Sequence, residues 1–495
     1  MSNSKRKINE REFWFVVGSQ MLYGEAVLRT VEQRAQEMAR EMSKSLPCKL
    51  VYKTTVKDAD EATRIMKEAN AADECCGVVT WCHTFSPSKM WIEGMRLLQK
   101  PLCHFATQYN RTIPDNEIDM DFMNLNQSAH GDREHGFLTA RMRLPRKVIM
   151  GYWQDEAPLR ELGEWMRAAV GTSFSRSLKI MRFGDNMRDV AVTEGDKVEA
   201  QIKLGWSVNT WPVGTLVEEM SKVTEAEIDA KRSEYRARYD ITTDDLASVR
   251  YQALEEVAMR RIFEREQIGA FSNTFQDLYG MKQLPGLASQ NLMADRYGYG
   301  GEGDWKVSGM TAVILAMTEG MSGGSTFIED YTYHLEQGNE YSLGAHMLEV
   351  GPGIAAQRPR IEVHPLGIGD REPPARLVFE GKPGKAIVVT LVGMGGRMRM
   401  ILQDIECVKP IYAMRNLPVA RVMWKVLPDL YAGTKMWILA GGAHHSVLSY
   451  DATAEMLTDF AEMNEIELVH ITKDSTVEAF KQQLFLNDLA WKLKS

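Results

Sequence analysis

The sequence predicts an α/β protein with two doubly wound parallel-sheet domains followed by a C-terminal domain that holds an antiparallel sheet or small β-barrel. Three observations carry this. Short apolar runs alternate with helical patterns from residue 12 to about 325, and beyond that strands are joined by turns too short for crossover helices. The 495 residues also exceed the ~250 to 300 that one hydrophobic core supports. The expected domains are 1–176, 177–325 and 326–495.

The elements follow in order. Phe13 to Val17 is an unbroken apolar run of strand length, then comes a helix-like stretch from Gly24 to Met42 and a strand at Lys49 to Tyr52. A helix near Asp60 to Ala69, a strand at Gly77 to Trp81, a helix from Ser88 to Leu98 and a strand at Leu102 to Phe105 continue the βαβ rhythm of a parallel sheet. Strand signals at Lys147 to Tyr152 and Leu178 to Phe183 flank a helix at Pro158 to Ala169, and Gly171-Thr172-Ser173 suits a boundary near residues 175 to 180. From Thr242 to Gly269 a long amphipathic helix is expected. Thr242 with Asp245 resembles a capping box, Leu246, Val249, Ala253, Val257 and Ile262 form its stripe, and Gly269 is placed to end it. Arg376 to Glu380, Ala386 to Val392 and Arg397 to Glu406 read as strands joined by Gly381-Lys382-Pro383-Gly384 and Gly393-Met394-Gly395-Gly396, hence antiparallel. Helix, strand and helix return from Ala452 to Lys494.

Composition narrows the function. A net charge of -8, with 59 basic and 67 acidic residues, and no basic run after Lys5-Arg6-Lys7 argue against nucleic-acid binding and for a small-molecule partner. No secretory signal is visible, and no stretch approaches the ~20 apolar residues needed to span a bilayer, so a cytoplasmic protein without membrane partners is expected. The six cysteines contain no Cys-x-x-Cys pair and read as buried free thiols.

Several motifs fail on inspection. Gly298 to Gly303 matches a dinucleotide fingerprint but follows the helix-like Ala288 to Arg296 rather than a strand, so no nucleotide cofactor is expected. The acidic run Asp115 to Asp121 lacks calcium-loop spacing and reads as a solvated face. His83, His104, His334, His364 and His470 read as structural, and there is neither a Gly-x-Ser-x-Gly elbow nor a Walker loop.

Four residues remain as candidate metal ligands: Glu302, Glu329, His346 and His445. Two carboxylates and two imidazoles suit one divalent ion and leave octahedral positions for a chelating substrate. Glycines flank Glu302 and let backbone approach a ligand, while His444-His445 follows two glycines and a strand-like Lys435 to Leu439. Spacings of 27, 17 and 99 residues are not a local motif, so structural roles for these residues stay open on the residues alone.

Gly18-Ser19-Gln20-Met21-Leu22-Tyr23-Gly24, Thr84-Phe85-Ser86-Pro87, Ala129-His130-Gly131, Leu284 to Ala288, Gly301 to Trp305, Glu329 to His334, His346 to Val350 and Ala440 to His445 occur in one order over nearly the whole chain. Together they resemble the L-arabinose isomerase family. The resemblance implies a fucose-isomerase-like fold of two α/β domains and a C-terminal domain containing an antiparallel β-barrel, a homohexamer, and conversion of L-arabinose to L-ribulose, and often more slowly of D-galactose to D-tagatose, with Mn²⁺ or Co²⁺. It implies that Glu302, Glu329, His346 and His445 hold the metal and that Gln20, Phe85, Gln127, Met187, Phe275, Met347 and His444 line the sugar pocket. His130 matches a residue that reaches in from a neighbouring subunit. The sequence departs from the family pattern at Met21, Cys82 and Gly351, where His, Met and Cys are common, which leaves substrate preference open.

The chemistry gives these residues reasons. Moving a proton between C1 and C2 through a cis-enediol needs a base and stabilisation of charge on two oxygens, and Glu302 and Glu329 can shuttle the protons. Which one acts at carbon is not legible. A non-catalytic sugar-binding protein and a metal-dependent aldolase or hydrolase are the competing classes.

Overall fold

A computed structural model describes residues 7–494, so the basic N-terminal stretch falls outside the described residues except for Lys7. The chain divides into two compact units, Met1–Ser173 with Glu455–Met463, and Phe174–Ala454 with Asn464–Ser495.

In the first unit β1 (Glu12–Gly18), β2 (Lys49–Val56), β3 (Cys75–Cys82), β4 (Leu102–Ala106) and β5 (Lys147–Met150) form a parallel sheet ordered β2-β1-β3-β4-β5. Side chains alternate between two cores, as the two-residue period of a strand requires. Phe13, Phe15 and Val17 pack with Trp81 and Cys103 on one face, and Trp14 and Val16 with Val78 and Met66 on the other. Both faces are therefore apolar, which is why these strands read as unbroken hydrophobic runs. The helix expected over Ser88 to Leu98 begins as a 3-10 turn, Ser88–Trp91, and becomes α-helical only over Ile92–Leu97. The tie from the Ser88 hydroxyl to Glu134 (2.8 Å) and from the Trp91 indole N–H to the Ser86 hydroxyl (2.9 Å) tighten that entry. Late in the chain, the helix Ala454–Met463 supplies this unit with Glu455 and Asp459, both paired to Lys147. All six cysteines are buried and none is in a disulfide, as expected.

The second unit holds β6 (Lys179–Phe183), β7 (Ser207–Trp211), β8 (Asp240–Ile241), β9 (Ala270–Ser272), β10 (Gly298–Gly300), β11 (Ser325–His334), β12 (Tyr341–Ala345), β13 (Arg360–Val363), β14 (Ala375–Val378), β15 (Gly384–Gly393), β16 (Met398–Val408), β17 (Val422–Val426), β18 (His445–Ser449) and β19 (Glu467–Ile471). A second parallel sheet is ordered β10-β9-β6-β7, and a small sheet β14-β13-β8. A mixed sheet runs β15-β18-β11-β12-β17-β16-β19, with β15 also paired to β16 and only β19 parallel to its neighbour.

Three expectations need correction. The helix expected over Thr242 to Gly269 spans Leu246–Glu266; Asp245, not Thr242, caps it by accepting from Ser248 N–H, and Gln267 in the left-handed region (φ +59°) ends it. Leu246 of the expected stripe is exposed, and the buried face carries Gln252, Glu255 and Glu256 beside Val249, Ala253 and Ile262. The turn Gly381 to Gly384 does not close a hairpin, because β14 pairs with β13 and not with β15. Lys435 to Leu439 is the end of the helix Leu430–Leu439, capped by Asp429. A short apolar run does not by itself distinguish a strand from a half-buried helix.

Candidate active site

After β10 the chain makes a tight excursion, Gly301-Glu302-Gly303-Asp304, before the buried helix Trp305–Met317. Glu302 lies in the left-handed region (φ +58°), a conformation costing a non-glycine residue about 1 to 2 kcal/mol. Hydrogen bonds on either side hold it there: Met187 N–H donates to the Glu302 carbonyl (2.9 Å) and Gly303 N–H to the Asn273 carbonyl (2.9 Å). Gly303 is itself left-handed, and a Cβ there would lie 2.5 Å from Asn186 Cα. The sequence can make this turn only with glycine at that position.

Opposite the turn, three neighbouring strands of the mixed sheet supply the other residues. Glu329 on β11 sits across from His445, the first residue of β18, and across from Ala345 on β12, which places His346 one residue beyond the strand end. His444 immediately precedes β18, and its carbonyl accepts from Asp330 N–H. The His444 Nε2 to Glu302 Oε2 separation is 3.5 Å and that from His445 Nε2 is 3.9 Å. Ligand atoms of Glu302, His444 and His445 all lie within 4.8 Å of one another. Glu329 and His346 are outside that tight group, but the His346 and His445 ring centroids are 5.6 Å apart, with Phe327 edge-on to both.

Each buried imidazole has one nitrogen taken by a carboxylate. His346 Nδ1 pairs with Glu349 Oε2 (2.5 Å), and His445 Nδ1 faces Asp304 Oδ2 (3.3 Å). The remaining nitrogens turn inward: His445 Nε2 is buried without a hydrogen-bond partner, and a Cβ added at Gly301 would stand 3.0 Å from His346 Nε2. An imidazole held by a carboxylate at one nitrogen and open at the other can serve as a metal ligand, and Glu302 with its neighbouring histidines could hold a divalent ion.

The electrostatics differ between the two glutamates. Burial opposes ionisation of Glu302, but the His444 hydrogen bond and the nearby His445 and His346 outweigh it and hold the carboxyl below its usual range. Burial pushes Glu329 up, with His346 and His444 only partly offsetting it and the Glu302 charge adding to the rise. Burial lowers His445, whereas for His346 the Glu349 charge and hydrogen bond overcome burial and raise it. Next to Glu329, burial and the Glu329 charge lift Asp330 to about 7.

Of the expected sugar-contacting residues, Met187 is tied to the Glu302 turn through its backbone, Phe275 stacks on His346 at 6.0 Å, and Met347 follows His346 with its sulfur near the Tyr331 hydroxyl. In the first unit, Phe85 stacks on an exposed His130 (4.4 Å), Gln127 accepts from the Tyr23 hydroxyl (3.3 Å), and Gln20 follows the end of β1. Sequence reasoning assigned no role to Asp304 or Glu349. Their signal was spacing, a carboxylate two residues after Glu302 and another three after His346. A second acidic group, Glu234, Glu256 and Asp295, is neutralised by Lys231, Arg238 and Arg260 and forms an ion-pair network.

Comparison with known proteins covers nearly the whole chain. Family profiles described as the N-terminal, central and C-terminal domains of L-arabinose isomerase match residues 7–177, 179–320 and 324–467. An L-arabinose isomerase of Geobacillus stearothermophilus is 52% identical over 489 residues, covering 97% of this chain and 98% of its own length. One of Thermotoga petrophila is 51% identical over 490 residues, covering 98% and 99%.

Proposed function

Because the chain belongs to the L-arabinose isomerase family and is therefore an aldose–ketose isomerase, we propose that it interconverts L-arabinose and L-ribulose, and D-galactose and D-tagatose, through a cis-enediol. The observation that carries a metal-dependent reading is the unpartnered, buried Nε2 of His445 beside Glu302. In this reading Glu302, Glu329, His346 and His445 hold Mn²⁺ or Co²⁺. A divalent ion there supplies Lewis-acid stabilisation of negative charge on the substrate oxygens.

The protein's own groups do the rest. Glu302 and Glu329 approach from different elements, a turn and a strand, so one can take the proton at carbon while the other serves the hydroxyls, help worth about 10² to 10⁴ in rate. His444, whose Nε2 faces the Glu302 carboxylate, is suited to hydrogen-bond a sugar hydroxyl. Phe275, Met187 and Met347 offer apolar surface to the carbon chain. Gln20, Phe85, Gln127 and His130 are the further sugar-contacting residues that the family resemblance implies, with His130 contributed in trans within a homohexamer.

The fold reading is finer as well. The pairing of β15 with both β18 and β16 supports a closed antiparallel barrel in the last of three domains, 1–176, 177–325 and 326–495.

Metal-loaded protein incubated with a panel of aldoses, scored for ketose and for carbon number of the products, tests the function. L-Arabinose should give L-ribulose. Recovery of unchanged sugar would favour a binding protein and shorter products an aldolase; either outcome overturns the proposal.

A further inference from the structure

Lys306 is the least expected residue near the site. It is fully buried, and it occupies the first turn of the helix Trp305–Met317, where the positive end of the helix dipole disfavours a cation. A lysine so placed is costly unless every N–H of its ammonium group finds an acceptor. Three acceptors are present: the Thr193 carbonyl at 2.9 Å, the Glu194 carbonyl at 2.8 Å and Asp304 Oδ1 at 3.3 Å.

Asp304 is equally over-determined. Its Oδ1 caps the helix by accepting from Lys306 N–H (3.2 Å) and Val307 N–H (3.3 Å), a task that serine, threonine or asparagine performs as well. Capping leaves the second carboxylate oxygen without a job in the helix. That oxygen, Oδ2, faces His445 Nδ1, so Asp304 accepts the Nδ1 proton and leaves the His445 lone pair on Nε2, the nitrogen that is buried, unpartnered and turned toward Glu302. The Lys306 acceptors also matter for geometry. Thr193 shares its carbonyl with the Asn186 side chain, and Asn186 reaches the Gly303 carbonyl, so the ammonium group ties the turn carrying Glu302 to the segment that carries Met187.

We propose that Asp304 and Lys306 form a positioning pair for the metal centre: Asp304 fixes the tautomer and orientation of His445, and Lys306 fixes Asp304. The His346–Glu349 pair is held differently: Glu349 is only three residues from its histidine, takes the Leu348 N–H at 3.1 Å and has the charge of the buried Arg376 nearby. The inference rests on the metal reading given under Proposed function and assigns roles to two residues outside that ligand set.

The test uses the full chain and Co²⁺ alone, without sugar. Co²⁺ affinity by competition with a chelator, the visible absorption bands of the Co²⁺-saturated protein, and the melting temperature of the metal-free protein are measured for the parent, Asp304→Asn and Lys306→Met. Outer-shell partners of this kind typically contribute about 10- to 100-fold in affinity. Both variants should weaken Co²⁺ binding by that factor and alter the absorption bands, which report ligand geometry. If Lys306→Met fails to fold, Asp304→Asn carries the test, because its amide oxygen can still cap the helix. Parental affinity in the variants, or weaker binding with unchanged bands, would overturn the positioning role while leaving the metal reading intact. Failure of the parent itself to bind Co²⁺ would overturn the metal reading, and this pair's role with it.

Discussion

Replacing the two glycines beside Glu302 by alanine, one at a time, should separate the stability of the turn from its chemistry. At Gly303 the backbone is left-handed (φ +81°), and the new methyl would stand 2.5 Å from Asn186 Cα and 2.7 Å from the Asp185 carbonyl, atoms of the backbone that cannot swing aside. The left-handed strain contributes about 1 to 2 kcal/mol and overpacking about 1 to 3, against a gain of about 0.4 to 1 from a stiffer unfolded chain. Gly303→Ala should therefore destabilise the metal-free protein by about 1 to 5 kcal/mol. Gly301 carries no such strain; its methyl would meet the His346 ring at 3.0 Å and Phe327 Cζ at 3.2 Å. The ring must yield by a few tenths of an ångström, so stability should stay within about 1 kcal/mol of the parent, while the displacement of His346 lowers turnover by up to about 10²-fold. Urea unfolding of metal-free protein and initial rates of ketose formation read the two quantities. A Gly301→Ala variant of full activity, or a Gly303→Ala variant as stable as the parent, would refute this account of the turn.

Other outcomes follow from the same site. Chelator-treated protein should be inactive and recover with Mn²⁺ or Co²⁺, and its metal affinity should fall as pH is lowered because protons compete for the imidazoles and carboxylates; verified metal removal with undiminished turnover would exclude the metal. Glu302→Gln and Glu329→Gln should each cut ketose formation by at least about 10²-fold, together with exchange of the substrate C2 hydrogen for solvent deuterium. Near-parental turnover in either would return that glutamate to a structural role. His130→Ala and Glu302→Ala chains, each nearly inactive alone, should regain part of the activity when dissociated and reassembled together, with chain exchange confirmed by mass spectrometry; confirmed mixing without recovery would rule out His130 acting in trans.

Much of the parallel architecture was legible because two-sided burial writes itself as largely apolar runs, as in Phe13 to Val17 and Gly77 to Trp81, which lie within the observed strands. The helix at Leu430–Leu439 was missed because its last apolar residues, Met436 to Leu439, look alike as strand or helix, and the deciding signal, the Asp429 cap, lies outside that run. The end of the helix at Gln267 was hidden because glutamine in the left-handed region is uncommon, and a glycine two residues on offered the more ordinary stop. At the site, glycines announced the special backbone around Glu302. The pairing of His445 with Asp304 could not be read, because the two residues are 141 positions apart and meet only once β18 and the Gly301 turn are in place.

The helix Ala454–Met463, whose carboxylates pair with Lys147 on the edge strand of the first sheet, has a consequence for synthesis. Glu455 and Asp459, which hold Lys147 on β5, emerge from the ribosome long after residue 173, with Met463 about 290 residues later. At about 5 to 20 residues per second, roughly 15 to 60 s pass in which the nascent first unit lacks this helix, and among the described residues of the earlier chain Glu161, at 3.5 Å, is the acidic partner of Lys147. The first part of the protein to be made is thus among the last to be completed, and chaperones have that interval in which to engage its uncovered edge.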